Sequence, residues 1–129
     1  MAKEKLYIFD TTLRDGQQTQ GVDFSVQDKI IISEALDKFG LDYIEGGWPG
    51  ANPTDTKFFE SRPKLRNSKF TAFGMTKRAG RSADNDPQLR ALIDTNSDSI
   101  CLVAKTWDYH VDVALGVTLE ENLKSIEDS

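Results

Sequence analysis

Leu6-Tyr-Ile-Phe9 runs directly into Asp10-Thr-Thr-Leu-Arg14-Asp15-Gly16-Gln17-Gln18, an apolar stretch that gives way to a polar loop carrying an arginine, a carboxylate and a glycine side by side. The apolar part reads as a strand. A strand end is a rigid platform, and an Arg/Asp pair there offers a planar cation for a substrate carboxylate and a hard oxygen for a divalent metal. Read alone, Arg-Asp-Gly is equally a loop salt bridge. Three further runs of the same kind follow, Tyr43 to Glu45, Phe70 to Phe73 and Ile100 to Ala104, at intervals of about thirty residues. Continuous apolar runs separated by helical patterns point to buried parallel strands in βα units, not to an antiparallel sheet with one wet face.

The helices between them are bounded by their own signals. Ser25-Val-Gln-Asp28 reads as a cap, Ile30, Ile31, Ala35, Leu36 and Phe39 as an inward stripe, and Gly40 as the stop. Thr54 to Arg62, halted by Pro63, predicts a second helix with Phe58 and Phe59 inward; Pro87 opens a third with Leu89, Leu92 and Ile93 as its apolar face. Thr118-Leu-Glu-Glu121 is a capping box for a fourth, with Leu119, Leu123 and Ile126 apolar. Trp107 to Leu115 reads as an extra turn or short helix over the strand ends, closed by Gly116. The expectation is one domain over residues 1–129, α/β, with four parallel βα units forming the N-terminal half of a (β/α)8 TIM barrel. A flavodoxin-like open sheet is the alternative architecture, although its phosphate-binding glycine loop is missing. An open half-barrel exposes sheet edges and an apolar interior, so the chain is expected to associate.

With 129 residues the chain suits a single core. A net charge of −5 without a basic stripe argues against nucleic acid and anionic membrane surfaces as partners. No apolar run approaches the ~20 residues of a membrane span, and Met1-Ala-Lys-Glu-Lys5 lacks the apolar stretch of a signal peptide. A cytoplasmic location is expected. The lone Cys101, inside the fourth apolar run, reads as a buried strand residue with no catalytic role.

Ligands of parallel βα folds bind beyond the carboxyl ends of the strands, and Arg14, Asp15, Gln18, Glu45, Thr76 and Lys105 all fall at or just after such ends. Glu45 sits inside Tyr43-Ile-Glu-Gly-Gly-Trp48, where two glycines permit close approach. It could orient Arg14 or the substrate, or form a buried ion pair that holds Arg14. Lys77-Arg78-Ala-Gly-Arg81 is a small basic cluster, a candidate for coenzyme A phosphates or a solvated loop. His110 is the only histidine.

The segment Asp10-Thr-Thr-Leu-Arg-Asp-Gly-Gln-Gln-Thr-Gln-Gly-Val-Asp-Phe-Ser25 closely resembles the first strand and loop of the acyl-CoA-dependent Claisen condensing enzymes, the isopropylmalate, homocitrate and citramalate synthase family, whose barrel is HMG-CoA lyase-like. The resemblance continues through Ile44-Glu-Gly-Gly-Trp-Pro-Gly-Ala-Asn-Pro-Thr-Asp55, Thr71-Ala-Phe-Gly-Met-Thr76 and Lys105-Thr-Trp-Asp-Tyr-His110, and the citramalate branch fits best. It implies a longer enzyme of amino-acid biosynthesis, in the citramalate case that of isoleucine, with a complete barrel and a dimeric assembly. The implied reaction joins acetyl-CoA, as co-substrate, to a 2-oxo acid with the help of a divalent metal such as Mg2+, Mn2+ or Zn2+. It also implies roles: Arg14 as the catalytic arginine at the developing enolate oxygen and a substrate contact, Asp15 as a metal ligand and Gln18 as a substrate neighbour; Glu45, from its place at the end of the second strand, is expected to be a second catalytic group. The family's His-X-His metal pair and later catalytic glutamate are not in this sequence. The chain by itself is therefore expected to bind metal weakly and to be inactive. A lyase relative and a non-catalytic assembly module are the competing readings.

Overall fold

A computed structural model describes residues 3–129; Met1 and Ala2, where the reading of the N-terminus begins, lie outside the described residues. Four strands, β1 (Phe9–Asp10), β2 (Tyr43–Gly47), β3 (Lys69–Met75) and β4 (Ser99–Val103), form one parallel sheet in the order β1-β2-β3-β4. Strictly sequential parallel order is that of a barrel wall, whereas a doubly wound sheet would reverse direction at a switch point. The fold is half of a TIM barrel, as the βα spacing predicts.

Three helices cover the outer face: α1 (Val26–Phe39), α2 (Pro53–Ser61) and α3 (Pro87–Asp94). A helical turn, α4 (Asp108–His110), continues as a π-helix over Val111–Leu115 and ends at Gly116 in the left-handed region, φ 65°, matching the expected element after β4. Helix α5 (Leu119–Asp128) starts at a complete Thr118/Glu121 capping box, and α1 starts at the equivalent Ser25/Asp28 box. Asn52 and Asp86 cap α2 and α3, each followed by proline at the first helical position, where no N–H is needed.

The core lies between the sheet and α1 to α3. Leu13, Ile44, Phe58, Phe59, Phe70, Leu89 and Leu92 are all buried, with Phe70 stacked on Phe59 at 4.6 Å and meeting Phe58 edge-on at 5.3 Å. Packing of this kind adds roughly 0.5–1.5 kcal/mol per aromatic pair beyond area burial.

Several expectations are corrected. The first strand is two residues long, not Leu6 to Phe9, and Leu6, Tyr7 and Ile8 are exposed, because β1 has a hydrogen-bonded neighbour on one side alone. Burial on both faces holds for β2 and β3 but not for β4, where Ile100, Leu102 and Val103 are exposed. Cys101 on β4 is half-buried, not buried. Of the stripe expected on α1, Ile30 and Leu36 pack against the core, whereas Ile31, Ala35 and Phe39 face solvent, and the most buried row is Lys29, Ser33 and Asp37, at i, i+4, i+8. These side chains tolerate burial because each has specific hydrogen-bond partners. Similarly α5 buries Asn122 and Ser125 and exposes Leu119 and Leu123, while Ile93 of α3 points outward. No helix among the described residues is long and apolar enough to cross a membrane.

Candidate active site at the strand ends

After β1 the chain turns sharply. Asp10 accepts from the backbone N–H (3.0 Å) and hydroxyl (3.0 Å) of Thr12, and the carbonyl of Thr11 accepts from the N–H groups of Arg14, Asp15 and Gly16 at 2.8–3.2 Å. This turn buries Leu13 in the core and projects Arg14 and Asp15 from the strand end. A 3₁₀ turn, Gly16–Gln18, follows.

Arg14 is the centre of a compact charged group. Its Nε donates to Glu45 Oε2 at 2.7 Å and its NH1 to Asp15 Oδ1 at 3.0 Å, while its guanidinium carbon lies 4.1 Å from the centre of the Phe73 ring. Glu45, on β2, is 1 % exposed, and Asp15 is open to solvent. A buried carboxylate, an aromatic face and a surface carboxylate thus fix the guanidinium plane from three directions. The rings of Trp48 and Phe73 meet edge-to-face at 5.5 Å. Of the sequence-based candidates, Arg14, Asp15 and Glu45 are brought together. Gln18 is exposed at the end of the 3₁₀ turn, outside this hydrogen-bonded group.

Thr76 and Lys105 are placed differently. They line a cleft of about 420 Å³ over the ends of β3 and β4, together with Trp48, Lys77, Leu115 and Asn122. Trp48 therefore stands between the two groups of strand-end residues. Within the basic cluster, Lys77 is nearly buried, donates to the Arg81 carbonyl at 3.0 Å and pairs with Asp128 at 3.7 Å, which leaves Arg78 and Arg81 as its exposed cations. His110 lies exposed against the Trp107 ring at 4.5 Å.

Three contributors escaped the sequence reading. Phe73 was visible as a strand residue, but alternation alone does not tell which face meets the arginine. Cys101 faces Glu45; burial, and then that carboxylate, push its thiol up from the ordinary value, so it stays protonated. Beneath the site, Lys29 is fully buried and ion-paired with Asp55, whose spacing of 26 residues gives no local signal. Burial pulls the Lys29 ammonium down and the Asp55 pairing pushes it up, with a net lowering.

Asp15 offers one hard carboxylate oxygen of the sort a divalent cation takes. Among the described residues no group of three or more His, Cys, Asp or Glu is placed to hold a metal ion. The donor at hand, Asp15, fits one position of a coordination sphere.

The family model described as HMGL-like matches residues 5–129. The chain belongs to the HMGL-like family. Among HMGL-like relatives, the (R)-citramalate synthase of Aquifex aeolicus is 53% identical over 125 residues, covering 95% of this chain and 24% of that protein. That of Streptomyces coelicolor is 48% identical, covering 98% and 24%. The 2-isopropylmalate synthase of Listeria innocua is 37% identical, covering 96% and 24%. The chain thus spans about a quarter of the length of these relatives. In three dimensions it is similar to the Bacillus subtilis HMG-CoA lyase, with TM-score 0.71, 19% identity and coverage of 97% of this chain and 41% of that one. At that identity the likeness supports the barrel fold.

Proposed function

We propose that this chain supplies the first half of the catalytic barrel of an acyltransferase that condenses acetyl-CoA with a 2-oxo acid, with pyruvate as acceptor and citramalate as product. The observation that carries the reading is the Arg14 guanidinium held over Phe73 between Glu45 and Asp15 at a barrel-strand end. In the proposed reaction the methyl carbon of acetyl-CoA gives up a proton and bonds to the carbonyl carbon of the oxo acid. The carbonyl oxygen becomes a hydroxyl, and water then cleaves the thioester C–S bond to release coenzyme A.

Negative charge develops on oxygen in both carbon-centred steps, and a preoriented guanidinium stabilises it without reorganising. Arginine has five N–H donors, of which Glu45 and Asp15 engage two, so the same side chain can hold a substrate oxygen. Glu45 acts by fixing Arg14, and Gln18 is assigned to the substrate's outer contacts. Asp15 would hold in part a divalent ion, Mg2+, Mn2+ or Zn2+, which when bound supplies Lewis-acid polarisation of the 2-oxo acid.

The higher identity to relatives called (R)-citramalate synthase than to those called 2-isopropylmalate synthase favours pyruvate over a branched acid. A methyl acceptor calls for a small pocket, and each extra methylene shifts discrimination by only ~1–3 kcal/mol. The test is thiol release from acetyl-CoA by the full-length natural protein containing this chain, with pyruvate, 2-oxoisovalerate and 2-oxoglutarate compared as kcat/KM. A preference for either larger acid overturns the citramalate assignment, and no thiol release with any of the three overturns the condensing reading.

Assembly follows from the open side. Phe9, Val103, Leu119 and Leu123, all exposed here, are proposed to pack against further barrel elements and against a second subunit. Light scattering on the isolated chain should give a species larger than one copy; a cooperative, strictly monomeric melt would refute the association.

A further inference from the structure

Lys29 is 0 % exposed, yet its ammonium sits directly beneath the charged group at the strand ends. Its Nζ donates to the carbonyl of Leu13 at 2.9 Å, to that of Gly46 at 3.0 Å and to Asp55 Oδ1. An ammonium has three donors, so all are committed. The Leu13 carbonyl belongs to the peptide bond that leads into Arg14. The Gly46 carbonyl lies one residue beyond Glu45. One buried cation therefore grips the backbone beside both partners of the 2.7 Å Arg14–Glu45 ion pair.

The surrounding strand is built for this grip. The β2–β3 register shifts between Glu45 and Gly47, so that Gly46 stands outside the residue pairing of the sheet. Asp55, the counter-ion, uses its other oxygen to accept from the Trp48 N–H at 2.8 Å. A Cβ at Gly47 would lie 2.5 Å from the Asp55 carboxylate, and one at Gly46 would lie 2.5 Å from the Phe70 ring. Gly47 lets the backbone descend onto the Asp55 carboxylate and Gly46 lets it lie close over the Phe70 ring, while the Lys29 ammonium holds the Gly46 carbonyl where residue pairing skips that position between Glu45 and Gly47.

We propose that Lys29 is a positioning residue for the Arg14–Glu45 pair, setting the guanidinium's place at the site through the backbone of Leu13 and Gly46 and not through contact with substrate. This rests on the condensing function proposed above for its effect on rate. The experiment uses the full-length natural protein with K29M and K29M/D55N. Methionine keeps an unbranched chain in the cavity, and asparagine keeps an acceptor for the Trp48 N–H while removing the orphaned charge.

The single variant is expected to melt well below wild type, because it leaves a buried carboxylate unpaired. The double variant is expected to regain most of the melting temperature while kcat for condensation stays at least tenfold down, with KM for the 2-oxo acid changed less than threefold. A second readout is the Arg14 Nε–H proton resonance, assigned by its loss in R14K, which should shift toward the position of a solvated arginine in the double variant. Recovery of kcat and of the resonance together with stability would overturn the proposal and leave Lys29 as a folding element. If the double variant does not fold, the resonance in D55N decides, since Lys29 there keeps both carbonyls: a wild-type position supports the proposal and a solvated one overturns it. Should wild type release no thiol at all, the condensing function fails on that result, whereas the resonance still decides the role of Lys29.

Discussion

The two ends of α1 are both anchored by a buried charge, and the two anchors face different parts of the barrel. At its N-terminal end Lys29 donates to backbone carbonyls under the strand ends where Arg14 and Glu45 meet. Two turns later Asp37 accepts from the N–H groups of Arg66, Asn67 and Ser68 at 2.7–3.0 Å, ahead of the start of β3. The chemistry of the two contacts is mirrored, cation to carbonyls and carboxylate to amides. In a βα barrel the carboxyl ends of the strands carry function and the opposite face carries stability. Substitutions near Lys29 should therefore lower turnover even where stability is restored, whereas substitutions at Asp37 should appear in the melting curve alone.

The sharpest contrast is expected from Arg14. In the full-length protein R14A should lower kcat by about 10²–10³-fold, the range for loss of one preorganised donor to a developing oxyanion. Its melting temperature should fall as well, because the buried Glu45 carboxylate loses its partner, so kcat is compared per folded molecule. D15A at the same site should abolish stimulation by Mg2+ or Mn2+. Unchanged metal dependence in D15A, or a large loss of stability with little loss of rate in R14A, would break the division between the two faces.

D37A tests the other end. It leaves three backbone N–H groups without their acceptor near the base of the sheet, and each buried unpaired donor costs ~1–3 kcal/mol. Allowing for water reaching part of the gap, a loss of about 3 kcal/mol in unfolding free energy is expected by chemical denaturation, with kcat per folded molecule within twofold of wild type. A tenfold drop in kcat at full folding would show that Asp37 also serves the site.

How much of this division could be read beforehand depends on the kind of contact. The strand-end motif, the capping boxes at Ser25 and Thr118, the proline helix starts and the apolar centres of β2 and β3 are local patterns, and the chain follows them. The orientation of α1 was legible only in part. Ile30 and Leu36 of its apolar stripe pack on the core, but Ile31, Ala35 and Phe39 do not, and Lys29, Ser33 and Asp37 take the innermost row because partners 16 to 31 residues away satisfy Lys29 and Asp37. Periodicity counts hydrophobicity and cannot see a distant acceptor. The same limit hid the Lys29–Asp55 pair while leaving Arg14, Asp15 and Glu45 recognisable from their neighbours in sequence.

A smaller effect follows from protonation. Burial pushes the Asp37 carboxyl up, but the N–H groups of Arg66, Ser68 and Asn67 push it down further, so its net shift is below the ordinary carboxylate value. A group with a depressed folded-state pKa stabilises fully above its unfolded pKa, about 3.9 for aspartate, and loses that contribution as pH falls through the folded value. Melting temperatures from pH 6 down to pH 2.5 should therefore decline less steeply in D37N than in wild type. Asp86, depressed by the N–H groups of Arg78, Gln88 and Leu89 against the effect of burial, keeps part of the acid sensitivity in both proteins. Parallel curves would mean that Asp37 does not carry the shift.

The smallest predicted effect comes from Phe73, which belongs to both parts of the molecule. Its ring centre lies 4.1 Å from the Arg14 guanidinium carbon and its ring meets that of Trp48 edge-to-face, yet it is itself a buried strand residue of β3. F73L keeps most of the apolar volume and removes the π face. A cation–π contact at a largely desolvated arginine contributes ~1–2 kcal/mol, but Glu45 and Asp15 still bind the guanidinium in the variant, so only part of this should reach the transition state. A fall in kcat of about three- to tenfold is expected, with a stability loss of ~1 kcal/mol from imperfect refilling. The size of the rate effect measures how the orientation of Arg14 is shared. A loss approaching that of R14A would make the aromatic face the main restraint, and no loss would leave the two carboxylates, with the Lys29-anchored backbone beneath them, as the elements that hold the guanidinium in place.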